Sequence, residues 1–360
     1  MKNSYLTAGI TLKHLFRLLH RNKISCHPKY LFRLFFLFQS ACWSSLFALI
    51  DKTRFSKSLE TIEKIPAPIF IIGHWRTGTT LLHKIMSLDP NLKAPTLFDV
   101  AIPDGFLSSY KFYKPILQFM VSKHRPMDMV KMGIDEPQED EYAIFRMTDF
   151  SPLERLIFPE SAAFFLKNCD SFLPMGEKKM EWEKALLLFF KKLFYLSGKT
   201  IVSKNPFNSL RINELRKIFP EARFIHIYRH PFNVIPSTIN MFTIVQQQNC
   251  LNKNGAKPTI AEVSEVFGNI MTVIRRDLSC LPKESYHEIK FEDFESDPIQ
   301  SLKSLYQSLK FEFSDEFEKK VMIYLSEVKD YKKNEFHLTE EEKNTISNTL
   351  EHHLKYYHYL

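Results

Sequence analysis

The sequence is poor in glycine and cysteine. Nine glycines among 360 residues argue against a low-complexity chain. The five cysteines, Cys26, Cys42, Cys169, Cys250 and Cys280, are scattered and form no C-x-x-C pair. That pattern argues against a disulfide framework or a thiolate zinc site and fits reduced thiols in a reducing compartment. No RNP, zinc-finger or homeodomain-like signature is present, so nucleic acid is not an expected partner. No internal repeat shows at solenoid or propeller periods. One stretch, Leu34 to Ile50, is free of charge over 17 residues, short of the ~20 that a bilayer core requires. It also contains Gln39, Ser40, Ser44 and Ser45, and no small-residue cleavage site follows it cleanly.

What is present is a globular composition, 44% hydrophobic and 25% charged, with 33 phenylalanines. The length supplies ample material for a buried core. A net charge of +8 and a pI near 9.0 suit anionic ligands or an anionic membrane surface. The segment from Lys13 to Lys29 is basic, and Arg33 directly precedes the charge-free stretch. An interfacial amphipathic helix, a buried core helix and a true span all remain open for Leu34–Ile50. Basic residues before it place that side of any membrane in the cytoplasm. The expected location is therefore cytoplasmic, either free or held peripherally or by an anchor at the membrane face through residues 13–50.

Residues 1–60 read as an apolar, basic and helical N-terminal extension, closed by the two prolines of "KIPAPIFIIG", Lys64 to Gly73. Ile69 to Ile72 reads as a buried strand, and Thr79 to Leu88 has helical spacing up to the turn "DPN". The pattern loosens from Lys93 to Pro159, and residues 181–197 look helical. A second strand lies in "KTIVSKNPF" (Lys199 to Phe207) and a helix in Leu210–Phe219. A third strand is Phe224 to Tyr228, and a fourth lies in "SYHEIKFEDFESDP" (Ser285 to Pro298). Strands alternating with helices predict one α/β domain over residues 61–360, with a central parallel sheet flanked by helices.

In an open parallel sheet, ligands bind beyond the carboxyl ends of the strands. After the first strand come Gly73, Arg76, Thr77, Gly78, Thr79 and Thr80, in "IFIIGHWRTGTTLLH". Glycines admit a phosphate close to the backbone, and helix-start N–H groups point at it with a favourable dipole. Arg76 adds a planar, permanently charged fork for oxyanions. But Thr79 stands where a nucleotide-hydrolysing loop carries its lysine, the group that reaches the β and γ phosphates. No convincing Walker B strand accompanies the loop, which points to a shorter phosphate ligand and no obligatory metal. Lys204 ends the second strand, and Arg229 and Ser237 follow the third, Pro231 fixing the turn between them.

"PIFIIGHWRTGTTLLH" together with "RFIHIYRHPFNVIPST", about 150 residues later, resembles the sulfotransferase family that uses 3′-phosphoadenosine 5′-phosphosulfate. The resemblance continues through "RPMD" (Arg125 to Asp128), "EPQEDEYA" (Glu136 to Ala143), "VSKNPF", "FEDFESDP" and "DYKKNEFHLTEEE" (Asp330 to Glu342). It covers roughly residues 65 to 357, in the arrangement of the broad bacterial branch related to tyrosylprotein sulfotransferases. It implies the P-loop-type three-layer fold. It also implies that Gly73, Arg76, Thr77, Gly78, Thr79 and Thr80 hold the 5′-phosphosulfate, and Arg229 and Ser237 the 3′-phosphate. Lys204 would then sit near the transferring sulfuryl group, with Lys332 and Lys333 on a basic loop closing over the nucleotide.

A sulfotransferase also needs a base for the acceptor proton. Asp99 and Glu139 are equal candidates, beside the neighbouring carboxylates Glu136, Asp140 and Glu141 and the histidines His74 and His124. The acceptor is left open among lipid, saccharide, small molecule and protein. Two rival readings use the same loop: a P-loop kinase-like phosphotransferase, and a catalytically idle membrane-associated nucleotide-binding protein.

Overall fold

In the computed structural model, residues 6–24, 26–120, 133–159, 172–252, 255–330 and 334–360 are described. The chain sorts into two units. One comprises residues 66–94, 199–241 and 258–360, the other residues 1–65, 95–198 and 242–257. Neither coincides with the expected division into 1–60 and 61–360, because the N-terminal helices group with the segment 95–198.

The first of these units holds the sheet. Five strands, β1 (Ile69–Ile72), β2 (Leu92–Lys93), β3 (Thr200–Lys204), β4 (Arg223–Tyr228) and β5 (Tyr286–Lys290), lie in the order β2-β3-β1-β4-β5. Every pairing is parallel. All four residues of β1 are fully buried, as a strand covered on both faces demands. From β1 the chain returns through the helix Thr79–Met86, whose Leu82, Ile85 and Met86 pack with Ile69, Ile71, Val202, Ile225 and Ile227. Burial of this aliphatic cluster is the main force holding the sheet, each side chain contributing about 1.5–3 kcal/mol.

Strand order fixes where chemistry can occur. The strand β1 is central, with β3 on one side and β4 on the other; the connection from β1 runs to β2 on one side and that from β4 to β5 on the other. Such a switch point opens a crevice at the strands' carboxyl ends. The register brings the ends together, with Ile71 opposite Lys204 and Ile72 opposite His226. The chain thus has the P-loop-type architecture expected of it.

The other unit is helical, with only the isolated bridge Thr96–Pro137 as strand pairing among its described residues. Its helices include Leu12–Arg21, Leu31–Glu60, Phe106–Met120 and Glu177–Ser197. The stretch 93–159, where the sequence shows no clear period, also contains the helices Leu97–Ala101, Glu141–Met147 and Glu154–Ile157. Helices of one or two turns are too short to display a period and depend on packing to form. A buried ion pair organises this unit: Lys192 Nζ lies 2.8 Å from Asp51 Oδ2, both side chains at most 4% exposed. Asp51 also accepts from the Leu107 and Ser108 N–H groups at 3.2 and 2.8 Å, capping the helix Phe106–Met120. Lys192 donates in addition to the carbonyls of Pro103 and Asp104, both at 2.8 Å.

Candidate functional site

Where β1 ends, the chain has to turn sharply and expose its backbone. Gly73 takes φ 145°, and a Cβ there would lie 2.4 Å from the Ile227 carbonyl oxygen, so no larger residue fits. Its N–H donates to Ser209 Oγ at 2.9 Å, and the same hydroxyl donates back to the Gly73 carbonyl at 3.0 Å. Thr77 Oγ1 closes the turn by donating to the His74 carbonyl at 2.8 Å. Gly78, at φ 99°, opens the helix Thr79–Met86. A Cβ on Gly78 would sit 2.2 Å from the ring of Phe291. Thr79 and Thr80 then form the first helical positions, where N–H groups have no intrahelical partner.

Arg76 has φ 70°, an uncommon backbone state for a side-chain-bearing residue. The loop holds it there, and its Nε donates to Ser237 Oγ at 2.8 Å. Ser237 belongs to the helix Pro231–Asn249, which begins just beyond β4. This bond ties together the two segments that the sequence reading assigned to separate phosphates of one nucleotide.

Arg229 stands at the end of β4 with its guanidinium over the Phe291 ring, 4.5 Å from the centroid. Its Nε is buried and has no hydrogen-bond partner among the described residues. Burial lowers its pKa, Glu295 and Glu292 act against that, and the Arg76 charge lowers it further. Two guanidiniums near enough to repel each other, one with an unsatisfied donor, form a site that gains from a multivalent anion. Arg76 and Arg229 therefore lie in one neighbourhood, as a shared nucleotide requires.

Lys204, 4% exposed, pairs with Ile71 in the sheet at the end of β3. It faces His83 of the helix Thr79–Met86. Burial first and the Lys204 charge second hold the His83 imidazole down at about 3, and its Nε2 lies 3.2 Å from the Val202 carbonyl. Next to Lys204, Asn205 accepts from the Phe207 N–H at 3.0 Å, which starts a short 3-10 turn carrying Ser209. His74 is fully buried, its Nδ1 2.9 Å from the Trp75 carbonyl. Burial lowers its pKa to about 4.

The structure therefore gathers Gly73, Arg76, Thr77, Gly78, Thr79, Thr80, Lys204, Arg229 and Ser237 at the ends of three adjacent strands in one unit. Asp99 and Glu139 belong to the other unit. Asp99 is 1% exposed, and its Oδ2 accepts from the Thr96 N–H at 2.9 Å in a capping box. Glu139 is half-buried just before the helix Glu141–Met147. Lys332, Lys333, His124 and the "RPMD" motif lie outside the described residues.

Three supporting residues escaped the sequence reading. Ser209 clamps Gly73 from both sides. Phe291 forms a floor under both Gly78 and Arg229. Glu292 accepts from the His230 N–H at 3.0 Å and from the Tyr359 hydroxyl at 2.9 Å, fixing the turn that follows Arg229. Phe291 and Glu292 open "FEDFESDP", a motif noted for its resemblance without a role. Nothing local marks Ser209.

A profile of the sulfotransferase family matches residues 68–315. The chain is 31% identical, over 341 residues, to omega-hydroxy-beta-dihydromenaquinone-9 sulfotransferase Stf3 of Mycobacterium bovis, covering 94% of this chain and 87% of that one. The Mycobacterium tuberculosis protein of the same name matches equally. Among solved structures, sulfotransferase STF9 from Mycobacterium avium superposes with a TM-score of 0.61 at 16% identity, covering 89% of this chain and 84% of its own. Sulfotransferase STF1 from Mycobacterium tuberculosis gives 0.59 at 14% identity, with 95% and 88% covered. At such identities these two speak for the fold.

Proposed function

This chain belongs to the sulfotransferase family, and on that premise we propose that it transfers a sulfuryl group from 3′-phosphoadenosine 5′-phosphosulfate to a lipid hydroxyl. The observation that supports this donor most strongly is the pairing of Arg76 with Ser237 beside the partly unsatisfied Arg229. Two cationic sites so close suit a nucleotide bearing phosphates at two separate ribose carbons. A single triphosphate chain would instead call for a lysine at the position of Thr79.

In this reading, the Gly73–Thr80 loop holds the 5′-phosphosulfate through backbone N–H groups, hydroxyls and the Arg76 fork. Arg229 and Ser237 hold the 3′-phosphate. Lys204 and the loop donors neutralise the charge that develops on the bridging oxygen as the bond from sulfur to that oxygen breaks. A carboxylate takes the acceptor's proton while the new sulfur–oxygen bond forms. The Asp99 carboxylate is sealed and already caps a helix, which speaks against it in that role. None of these steps requires a metal.

The acceptor class rests on the name of the Stf3 relative, which specifies a hydroxylated menaquinone-type lipid. The apolar helix Leu31–Glu60 agrees with a substrate carried in a membrane and with a place at its cytoplasmic face.

Calorimetric titration with adenosine 3′,5′-bisphosphate tests the donor site. Arg229→Ala should weaken binding about 10–100-fold, the worth of a charge-assisted contact. Unchanged affinity would remove the 3′-phosphate assignment. Magnesium-dependent ATP turnover by the wild-type chain would favour the kinase reading instead.

A further inference from the structure

The helical unit has an outer face that its own packing does not explain. Along the helix Leu31–Glu60, the inner face is committed: Leu37, Ala41, Ser44, Asp51 and Leu59 are buried. Ser40 and Ser45 accept from the Gly9 and Leu12 N–H groups, both at 2.9 Å, and Asp51 is locked to Lys192. The opposite face is bare. Phe32, Phe35, Trp43, Leu46 and Leu49 are each 46–60% exposed and recur at helical spacing along one stripe. Beside it, the helix Phe106–Met120 exposes Phe112 (78%), Ile116 (55%) and Phe119 (92%).

The two helices touch through Phe47 and Tyr113, whose ring centroids are 5.4 Å apart. Between them runs a groove of about 430 Å³, lined by Phe36, Trp43 and Phe47 from one helix and Phe112, Tyr113 and Ile116 from the other. That volume is within the range of small-molecule sites. Isolated exposed apolar residues are ordinary, but a contiguous patch of this kind marks an interaction surface.

Charge selects the partner. No charged residue interrupts Leu34–Ile50, while Lys29 precedes it and Lys52, Arg54 and Lys57 follow it. Asp51, the acid nearest to the stripe, is buried and paired. An apolar band bracketed by cations matches hydrocarbon bracketed by anionic headgroups. The helix is also held back from crossing. Its charge-free length is about 25 Å against a core of about 30 Å, and its inner face is fastened within the unit by polar contacts.

We propose that the outer faces of these two helices form one surface that docks in the headgroup–acyl boundary of an anionic lipid bilayer, the helix Leu31–Glu60 lying in the membrane plane and the groove receiving a lipid chain. Docking is read without donor or acceptor, so it stands or falls independently of the transfer reaction.

Trp43 is a built-in reporter, being 54% exposed while Trp75 and Trp182 are 6% and 1% exposed. The full chain is titrated with vesicles of phosphatidylglycerol mixed with phosphatidylcholine, following sedimentation and tryptophan emission. Co-sedimentation and a blue shift are expected, with the shift, though not the sedimentation, lost in Trp43→Phe. Vesicles of phosphatidylcholine alone should bind about tenfold more weakly. The triple variant Phe112→Ser, Ile116→Ser and Phe119→Ser should lower partitioning about tenfold or more with unchanged circular dichroism. Bromine placed near the headgroup end of the chains should quench Trp43 more than bromine at the chain ends.

No sedimentation at any lipid concentration overturns the proposal. So does equal binding to neutral vesicles, or stronger quenching from the bilayer centre, which would mean a span. A lipid-free blue shift that grows with protein concentration would assign the surface to a second copy of the chain.

Discussion

Arg76 and Ser237, 161 positions apart in sequence, are joined by a hydrogen bond of 2.8 Å from Nε to Oγ. One residue follows β1 and the other follows β4, and the parallel pairing of these strands brings them together. The bond fixes the orientation of the Arg76 guanidinium at its Nε. It also couples the loop to the helix that follows β4, so the two phosphate subsites proposed there should not act independently.

That coupling is measurable. Arg76→Ala, Ser237→Ala and the double variant, each titrated with adenosine 3′,5′-bisphosphate, form a cycle. Ser237→Ala alone should cost about 0.5–1.5 kcal/mol of binding and Arg76→Ala more. The double variant should depart from their sum by about 0.5–3 kcal/mol. Strict additivity would mean that the two side chains serve the ligand separately.

Buried histidines should make the fold sensitive to acid. His74 and His83 have folded pKa values of about 4 and about 3, both depressed mainly by burial, against about 6.5 when unfolded. Below pH 6.5 the unfolded chain therefore binds protons that the folded chain refuses. Stability is full above that pH and is lost as pH falls toward the folded values, by about 1.4 kcal/mol per unit for each group. Urea unfolding at pH 7.5 and 5.5 reads the slope. His83→Gln retains a donor for the Val202 carbonyl and should flatten it by about one histidine's share. An unaltered slope would show that His83 is not held neutral.

The ion pair of Asp51 and Lys192 should be unequal to its parts. Lys192→Met leaves a carboxylate buried beside the start of the helix Phe106–Met120 and should destabilise the helical unit by about 3–5 kcal/mol. Asp51→Leu combined with Lys192→Met should recover most of that loss, short of the helix cap. Thermal unfolding followed by circular dichroism distinguishes the two. A double variant no more stable than the single one would show that the charge is not what destabilises.

Much of the turn after β1 was legible because its backbone demands leave local marks. Gly73 and Gly78 are required where backbone must turn with positive φ, and Arg76, Thr79 and Thr80 follow in the same loop. The strands β1 and β3 announce themselves by β-branched runs, and β4 and β5 by aromatic and isoleucine residues interleaved with polar ones. The two-residue strand β2 and the short helices between 97 and 157 do not. They are too brief to have a period and exist because neighbours bury them. Ser209 was invisible for a related reason: its role comes from a partner 136 positions away.

By itself, the sequence determined the glycine turn after the first strand, the missing lysine, the parallel α/β pattern and the sulfotransferase resemblance. Each is written in neighbouring residues whose backbone preferences or side-chain chemistry act locally. Only the tertiary structure decided that Arg76 meets Ser237, that Phe291 underlies both Gly78 and Arg229, and that one face of Leu31–Glu60 is buried while the other is bare. Those outcomes depend on which surfaces the fold presses together, and burial is a property of the packed chain rather than of any stretch within it.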